Sequence, residues 1–215
     1  MNCVIIGAGN YSYVLLNYIN EQKEKVNIIG FLDDDVSLHG TLILGKPVLG
    51  DLSLLKSLNS SHKVEGVYCP IGNIKVRVKL LKLAVSLGFK LPNFIHKSAV
   101  LGPNVTLGKG IYVMPGTIVM PSANISNYCM LSMGISVGHD TLFEEGVFVA
   151  NGCNIGGNII IKKETFVGMG ATIISGVKSI GQNCIIGAGS VVIRDIQNNV
   201  TVVGNPAKII KINKI

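Results

Sequence analysis

The second half of the chain repeats with a period of six residues. Thirteen consecutive positions six residues apart carry large apolar side chains, and they are Leu101, Leu107, Val113, Val119, Ile125, Leu131, Val137, Phe143, Val149, Ile155, Ile161, Val167 and Ile173. The positions four residues later hold small or β-branched side chains, such as Thr117, Cys129 and Ala171. One inserted residue then shifts the phase, so the pattern resumes at Ile180. A repeat of this length constrains the fold more than any single motif does.

A period of six residues does not fit a helix, whose apolar face recurs every three to four residues. A unit with one large inward residue, one small residue and turn-compatible Gly or Asn fits a flat strand of a parallel β-helix. Each such strand pairs with the next coil at a spacing of about 4.8 Å. Since three units close one triangular coil, residues 101–192 have room for about five coils.

The first half of the chain alternates strand and helix patterns. An apolar run over residues 2–8 enters a glycine turn that leads into a helical pattern. A second apolar run, residues 26–32, ends in three aspartates, and a third, residues 64–68, leads into another helix. This alternation predicts a small Rossmann-like parallel sheet of about three or four strands, with its ligand beyond the strand ends. We therefore expect an α/β domain over residues 1–97 and a β-helix domain over residues 98–215.

The loops of the first domain suit a nucleotide. The glycine turn at residues 7–12 offers backbone N–H groups and a helix N-terminus to a phosphate, and the aspartates at 33–35 are placed to meet a ribose or base. Because Ser12 stands where the dinucleotide fingerprint has its third glycine, a mononucleotide fits better than NAD. The alternative is that the glycines only permit a tight turn.

The helical pattern that follows residues 64–68 is rich in basic residues, which are Lys75, Arg77, Lys79 and Lys82. Its lysines share one face, opposite the apolar residues Val76, Leu80, Leu83 and Leu87. A solvated helix face explains this pattern better than a basic binding site does.

Composition excludes several classes of protein. The net charge of +7 is spread evenly over both halves, which favours small anionic ligands over nucleic acid. No apolar run reaches the length of a membrane span, and the start of the chain lacks the pattern of a signal peptide, so we expect a cytoplasmic location. The five cysteines lack metal-site or disulfide spacing and are interpreted as small buried apolar residues.

His139 is the only histidine of the repeats and the one plausible general base within them. It follows the inward Val137 by two residues, which predicts a place at a corner of the coil. Asp140 beside it is placed to hold the imidazole tautomer, and Gly157 lies 18 residues on, one coil away. The alternative is a His-Asp pair that only forms part of the surface. We interpret His96 as structural, and His39 and His62, in polar loop sequence, as surface residues.

The whole chain resembles the bacterial nucleotide-amino-sugar N-acetyltransferases and the related sialic-acid O-acetyltransferases. The shared features are a GAGxYS-type start, LDD after the second strand, IGN after the third, NFIHKSA before the repeats, GHD within them and the GNPAK close. The resemblance implies a left-handed β-helix, acetyl-CoA as co-substrate without a metal, and a homotrimer with active sites between subunits.

The resemblance also implies a role for individual residues. The catalytic base matches His139, the residue assisting it matches Asp140, and the oxyanion donor matches Gly157. Acetyl-CoA contacts match Phe148, Gly157, Met169 and Gly187, and Lys208 is placed near the coenzyme phosphates by its charge. Phe148 stands where a relative has His. The sugar nucleotide matches Gly9, Asn10, Tyr11, Asp33, Asp34, Gly72 and Asn73, and Ser132 matches a polar position near the sugar.

The expected function is acetylation of the 4-amino group of a UDP- or dTDP-linked 4-amino-4,6-dideoxy sugar, for surface polysaccharide or glycan synthesis. An O-acetyltransferase acting on a sialic acid or related sugar is the alternative enzyme. A non-catalytic β-helix binding protein is the alternative outside the enzymes, and it predicts regular rows of outward residues, which the sequence lacks. Zinc-dependent hydration chemistry would need about three histidines in the coils, and an NAD oxidoreductase would need a longer first domain.

Overall fold

The structure is a computed structural model, and it describes residues 1–22, 26–60 and 64–214. His62 lies outside the described residues. The chain divides into two compact units, Met1–Asn93 and Phe94–Ile215. Their architecture differs as the sequence patterns differ, so each is described by itself.

The first unit is an α/β layer built on one five-stranded sheet. Its strands are β1 (Asn2–Ile6), β2 (Asn27–Leu32), β3 (Leu42–Ile43), β4 (Lys46–Gly50) and β5 (Gly66–Tyr68), and its helices are α1 (Asn10–Gln22), α2 (Leu54–Ser60) and α3 (Ile74–Ser86). A 3₁₀ turn spans Val36–Leu38. The strand order is β3-β4-β2-β1-β5, and all pairs except β3 with β4 are parallel.

The sheet has more strands than the sequence predicted. The additional pair is the β3–β4 hairpin, whose turn residues Leu44 and Gly45 have φ of 49° and 76°. Positive φ at both central residues is the geometry that matches the twist of two adjacent antiparallel strands. This hairpin was not predicted, because Leu44 does not belong to the residues that usually mark such a turn.

Helix α3 buries a different face from the one predicted. The side chain of Asn73 caps the helix by accepting a hydrogen bond of 3.1 Å from the N–H of Val76. Val76 and Leu83 are each 41% exposed, so the predicted apolar face is wrong at these positions. The buried face instead includes Arg77, whose Nη1 donates a 2.7 Å hydrogen bond to the carbonyl oxygen of Ile71. Lys75 and Lys79 are exposed, in agreement with the solvated face.

The second unit is a parallel β-helix of two-residue strands. They are β6 (Phe94–Ile95), β7 (Val100–Leu101), β8 (Thr106–Leu107), β9 (Tyr112–Val113), β10 (Ile118–Val119), β11 (Asn124–Ile125), β12 (Met130–Leu131), β13 (Ser136–Val137), β14 (Leu142–Phe143), β15 (Phe148–Val149), β16 (Asn154–Ile155), β17 (Ile160–Ile161), β18 (Phe166–Val167), β19 (Thr172–Ile173), β20 (Ser179–Ile180), β21 (Ile185–Ile186) and β22 (Val191–Val192). The longer β23 (Val200–Val203) and β24 (Lys208–Ile212) end the unit.

Strands stack on their equivalents one coil away and form three sheets of six, five and eight strands. Val137, for example, pairs with Val119 on one side and Ile155 on the other, each 18 residues distant. The second residue of each strand points inward, and the predicted ladder from Val113 to Ile173 forms the buried core. The insertion appears where predicted, since Ile161 pairs with Ile180, 19 residues on.

The small-residue register also has a structural role. Where it holds Thr or Cys, the side chain donates a hydrogen bond to a carbonyl oxygen of the next coil. Thr117 donates to Ser132 at 2.6 Å, for example, and the Cys129 thiol contacts the oxygen of Glu144 at 3.2 Å. All five cysteines are buried and free, as the sequence analysis interpreted them. The register therefore ties neighbouring coils together from inside.

Candidate active site

The turns of the β-helix stack into corners, as the strands do. We call the turns that follow the six-stranded sheet the first corner, and the turns that follow the eight-stranded sheet the second corner. His139 and Asp140 lie on the first corner, directly after β13. Their side chains are 58% and 57% exposed, so this corner presents them outward, as the spacing from Val137 predicted.

The imidazole of His139 is oriented by its neighbour. Its Nδ1 lies 2.7 Å from Oδ2 of Asp140. A carboxylate accepts hydrogen bonds, so this contact assigns the proton of the neutral ring to Nδ1. The lone pair is then on Nε2, which is the atom that can take a proton. Asp140 adopts a left-handed backbone with φ of 55°, a conformation that Asp and Asn accept more readily than most residues do.

Gly157 lies against this imidazole, one coil further along. The N–H of Asn158 donates a 2.7 Å hydrogen bond to the carbonyl oxygen of His139, which links the two coils at this corner. A Cβ at position 157 would lie 2.8 Å from Nε2 of His139. Only glycine therefore leaves room for the ring in this position. A backbone N–H beside a general base is the arrangement that stabilises a developing oxyanion.

A cleft of about 340 Å³ opens beside these residues. Its lining comprises Ile118, Met120, Ser136, Val137, Gly138, His139, Ile155, Gly156, Gly157 and Ser175. Ile118 and Met120 belong to the coil before His139 and are nearly half exposed. The coils after His139 contribute Ile155, two glycines and Ser175.

Further along the first corner lies a second cleft of about 400 Å³. It is lined by Arg194, Asp195, Ile196, Gln197, Val202, Ala207, Lys208 and Ile209. The N–H of Ala207 donates to the oxygen of Val191 at 2.8 Å, which holds the closing segment, and Lys208 with it, on the last coil. Oδ1 of Asp195 accepts hydrogen bonds from the N–H groups of Lys178 and Ser179. Two cations and one carboxylate engaged by backbone amides give this cleft a positive character.

Three residues matched to the coenzyme lie elsewhere in the same chain. Met169 and Gly187 follow the eight-stranded sheet and lie on the second corner, and Phe148 lies on the adjoining strand β15. Phe148 packs edge-on against Phe166, with ring centroids 5.2 Å apart. Within one chain, then, these residues are on a different edge of the triangular coil from His139. Ser132 is also on the second corner and is 2% exposed.

In the first unit, a cleft of about 320 Å³ lies beyond the carboxyl ends of the parallel strands. It is lined by Ile6, Gly7, Leu32, Asp33, Asp34, Leu52, Ile71, Val76, Lys79 and Leu80. Oδ2 of Asp33 accepts a 2.7 Å hydrogen bond from the N–H of Ala8, and its Oδ1 accepts a 2.9 Å hydrogen bond from the backbone N–H of Asp35. Asp33 therefore holds the glycine turn in place, while Oδ1 of Asp34 accepts a hydrogen bond from the N–H of Leu52.

The other residues matched to the nucleotide lie in the turns around this sheet. Gly9 precedes α1, Asn10 and Tyr11 begin it, and Gly72 and Asn73 immediately precede α3. The helix N-termini therefore follow β1 and β5 directly, as the sequence predicted. Leu52 and Lys79, which also line the cleft, were not among the predicted site residues. Leu52 belongs to a loop without a motif, and Lys79 was interpreted only as part of a solvated face.

The remaining histidines have local roles. Nδ1 of the buried His96 lies 2.7 Å from Oγ of Ser98, which in turn accepts a hydrogen bond from the N–H of Gly116. Nε2 of His39 lies 2.8 Å from the carbonyl oxygen of Asp33. The described ranges contain no cluster of three or more His, Cys, Asp or Glu side chains with metal-binding geometry. They also contain no helix that is long and apolar enough to cross a membrane.

The chain is similar to known proteins over nearly its whole length. Residues 2–83 match the family model of the PglD N-terminal domain. The GDP-perosamine N-acetyltransferase of Escherichia coli O157:H7 is 27% identical over 96% of this chain and 95% of its own length. The crystal structure of PerB from Caulobacter crescentus, in complex with CoA and GDP-perosamine, covers 98% of both chains with 33% identity and a TM-score of 0.89.

Two further observations concern the chemistry. The acetyltransferase domain of PglB from Neisseria gonorrhoeae, in complex with acetyl coenzyme A, is 30% identical over 97% of this chain, with a TM-score of 0.86. The Caulobacter enzyme has also been crystallised with one histidine replaced by asparagine or alanine. The fold and the corner site define an acetyl-CoA-dependent acetyltransferase with a left-handed β-helix. The chain belongs to the family of nucleotide-amino-sugar N-acetyltransferases.

Proposed function

We propose that this protein transfers the acetyl group of acetyl-CoA directly to the 4-amino group of a nucleotide-linked 4-amino-4,6-dideoxy sugar, with His139 as the general base. The observation that carries this proposal is the arrangement on the first corner, where Asp140 binds Nδ1 of His139 and Gly157 lies against Nε2. These three residues supply a base, a group that orients it and a backbone donor. These three groups together accelerate the attack of an amine on a thioester, and the reaction needs no metal.

The acetyl group passes from the coenzyme to the amine without a covalent enzyme intermediate. The sugar amine attacks the thioester carbonyl carbon while Nε2 of His139 accepts a proton from the nitrogen. The new C–N bond forms, the C–S bond then breaks, and the proton passes from His139 to the departing sulfur of CoA. Asp140 keeps the ring oriented and stabilises the imidazolium that forms in between. The negative charge on the carbonyl oxygen is stabilised by the N–H of Gly157.

The coenzyme then follows the first corner towards the C-terminal coils. Arg194 lies about three coils beyond His139, which is about 14 Å at the spacing of stacked strands. The pantetheine arm spans about 15 Å when extended, given the usual lengths of its bonds. A thioester carbon at His139 therefore brings the phosphates of the coenzyme to the cleft of Arg194 and Lys208. Charge-assisted hydrogen bonds from these two side chains suit phosphate oxygens.

A homotrimer accounts for the coenzyme contacts that the resemblance assigns to residues on and beside the second corner. Phe148, Met169 and Gly187 cannot meet His139 within one chain, because they lie on another edge of the coil. In a homotrimer, the second corner of one subunit can face the first corner of its neighbour. Each coenzyme is then bound between two subunits, and Met169, which is 60% exposed in the single chain, becomes covered. Sedimentation of the protein should give the mass of a trimer, and a monomer would contradict this part of the proposal.

The first unit holds the nucleotide. Its cleft has apolar walls for a base, acidic groups for the ribose or base edge, and two helix N-termini for the diphosphate. The resemblance favours uridine or thymidine, whereas the full-length relatives from E. coli and Caulobacter are named for GDP-perosamine. Thermal-shift measurements with UDP, dTDP, GDP and CMP separate these bases, since a ligand of the native state raises the melting temperature.

The acceptor class is tested by assaying the parent protein with acetyl-CoA and two kinds of acceptor. Nucleotide-linked 4-amino sugars should release CoA and yield an amide. A sialic acid or related sugar, which offers a hydroxyl group, should react at least tenfold more slowly. Faster acetylation of the hydroxyl acceptor would make the protein an O-acetyltransferase that uses the same residues. Lack of turnover with both acceptors would refute the proposed function.

A further inference from the structure

Three threonines occupy the same buried register of the β-helix and make the same contacts. Thr117, Thr141 and Thr165 each donate a hydrogen bond from Oγ1 to the first carbonyl oxygen of a turn in the next coil. Each hydroxyl also accepts a hydrogen bond from the N–H that closes that turn, at 3.2 to 3.5 Å. The hydroxyl therefore bridges the two ends of a four-residue turn.

The turn bridged by Thr141 differs from the other two because it contains Gly157. Oγ1 of Thr141 donates to the oxygen of Gly156 at 2.9 Å and accepts from the N–H of Ile159 at 3.4 Å. Gly157 and Asn158 are the central residues of this turn. Thr141 is fully buried, whereas Gly157 lines the cleft beside His139. A contact in the core is thus connected to the wall of the candidate active site by a single peptide unit.

That peptide unit is the one that carries the N–H of Gly157. The C=O of Gly156 and the N–H of Gly157 belong to one planar trans peptide, so they point in opposite directions. Because Thr141 holds the C=O towards the core, the N–H points away from the core, on the side of the cleft. The N–H of Asn158, in the next peptide, donates to the carbonyl oxygen of His139, which fixes the centre of the same turn.

We propose that Thr141 is a positioning residue, which fixes the Gly156–Gly157 peptide so that its N–H meets the oxyanion of the transition state. This inference rests on the proposed function, in which Gly157 is the oxyanion donor. Such donors act through preorganisation, and a peptide free to rotate loses part of that effect. The hydroxyl also polarises the peptide, which strengthens the N–H as a donor. Thr141 itself does not touch the substrate.

The chain offers a matched control. Thr165 makes the equivalent bond to Gly181 at 2.6 Å, on the corner that follows the five-stranded sheet and away from the His139 cleft. T141V and T165V remove the same kind of hydrogen bond from the same register and should lower the melting temperature by similar amounts. We expect kcat to fall at least tenfold in T141V and less than twofold in T165V. The dissociation constant for CoA should stay within twofold of the parent value in both.

Graded replacements keep the test decisive if a valine variant does not fold. The chain already uses cysteine in this register, where the thiols of Cys129, Cys153 and Cys184 contact carbonyl oxygens at 3.0 to 3.2 Å. T141C is therefore compatible with the coil and supplies a weaker donor, and T141S supplies a hydroxyl. We expect kcat in the order Thr, Ser, Cys, Val, with T141S within threefold of the parent.

The outcomes separate this inference from the proposed function. If T141V or T141C changes kcat no more than T165V or T165C does, Thr141 is only structural and the inference is wrong. The same conclusion follows if kcat and CoA affinity fall in parallel, or if T141S does not restore kcat. Full turnover in H139A would instead refute the proposed function, whatever the Thr141 variants do.

Discussion

Gly157 provides the space in which the imidazole of His139 lies, because a Cβ at position 157 would be 2.8 Å from Nε2. The neighbouring Gly156 has a different constraint. A Cβ there would be 2.5 Å from the backbone nitrogen of Ser175 in the next coil. An imidazole can rotate away from an added methyl group, whereas the backbone of a stacked coil cannot. The candidate active site therefore requires a glycine at position 157, whereas the packing of the coils requires one at position 156.

G157A should fold and lose activity, whereas G156A should lose stability. In G157A the imidazole moves by about 1 Å, which lowers kcat about 100-fold, and the melting temperature stays close to the parent value. In G156A the coils must shift, which costs about 1 to 3 kcal/mol and lowers the melting temperature by about 2 °C or more. Calorimetry and steady-state kinetics on both variants check this. Parental kcat in a folded G157A would contradict the placement of Nε2.

The carboxylate of Asp140 should matter more than the shape of its side chain. D140N keeps a side chain that tolerates the left-handed backbone but cannot stabilise an imidazolium, and we expect kcat to fall about 100-fold. D140E keeps the charge, and Glu164 already has a φ of 56° at an equivalent turn, so its kcat should stay within about tenfold of the parent value. Equal kcat in D140N and the parent would show that Asp140 does not assist His139.

Arg194 should contribute to binding of the coenzyme phosphates and not to the chemical step. R194M should raise the KM for acetyl-CoA about tenfold with little change in kcat. The KM for S-acetylpantetheine, which lacks the phosphates, should not change. K163M, which removes a cation from another corner, serves as the control and should leave both donors unaffected. An equal rise in KM for the two donors would mean that Arg194 acts through the fold.

Buried thiols should make the folded state sensitive to alkali. Burial raises the pKa of Cys3 to about 11 and the pKa of Cys69 to about 12, from an ordinary value of 9.0. Below pH 9 these thiols are neutral in both states and do not affect stability. Above pH 9 they ionise only when unfolded, so each lowers the free energy of unfolding by about 1.4 kcal/mol per pH unit.

Urea titrations at pH 8 and pH 10 measure this effect. C69A removes one of the thiols, so its free energy of unfolding should fall by about 1 kcal/mol less than the parent's over this range. The comparison uses the change in the free energy of unfolding between the two pH values. This change is independent of any cavity that the substitution creates. An identical pH dependence in the two proteins would show that Cys69 ionises equally in both states.

The register of the β-helix was predictable because each inward position repeats the same physical requirement. A large apolar residue every six positions specifies the strand, its inward face and its partner one coil away, and the insertion before Ile180 appears in the pairing as a 19-residue step. The same regularity placed His139 at an exposed corner. The β3–β4 hairpin and the buried Arg77 were missed because tertiary packing, and not local propensity, determines them.

The candidate site was only partly accessible to sequence reasoning. Spacing alone relates His139 to Gly157, because both lie on one corner of a regular coil. The position of Nε2 against Gly157 depends on the side-chain rotamer of His139, which no sequence pattern encodes. Arg194 was not identified as a candidate because Lys208 reaches the same cleft through the fold of the closing segment, which pairs with β23 and bonds to Val191.

The central claim is that the imidazole of His139 is the general base for acetyl transfer. H139A removes an exposed side chain, so the variant should fold and bind CoA with parental affinity, which calorimetric titration can establish first. Steady-state turnover with acetyl-CoA and a nucleotide-linked 4-amino sugar should then fall by about 100- to 10,000-fold. A folded, CoA-binding H139A that retains turnover within tenfold of the parent would contradict the account.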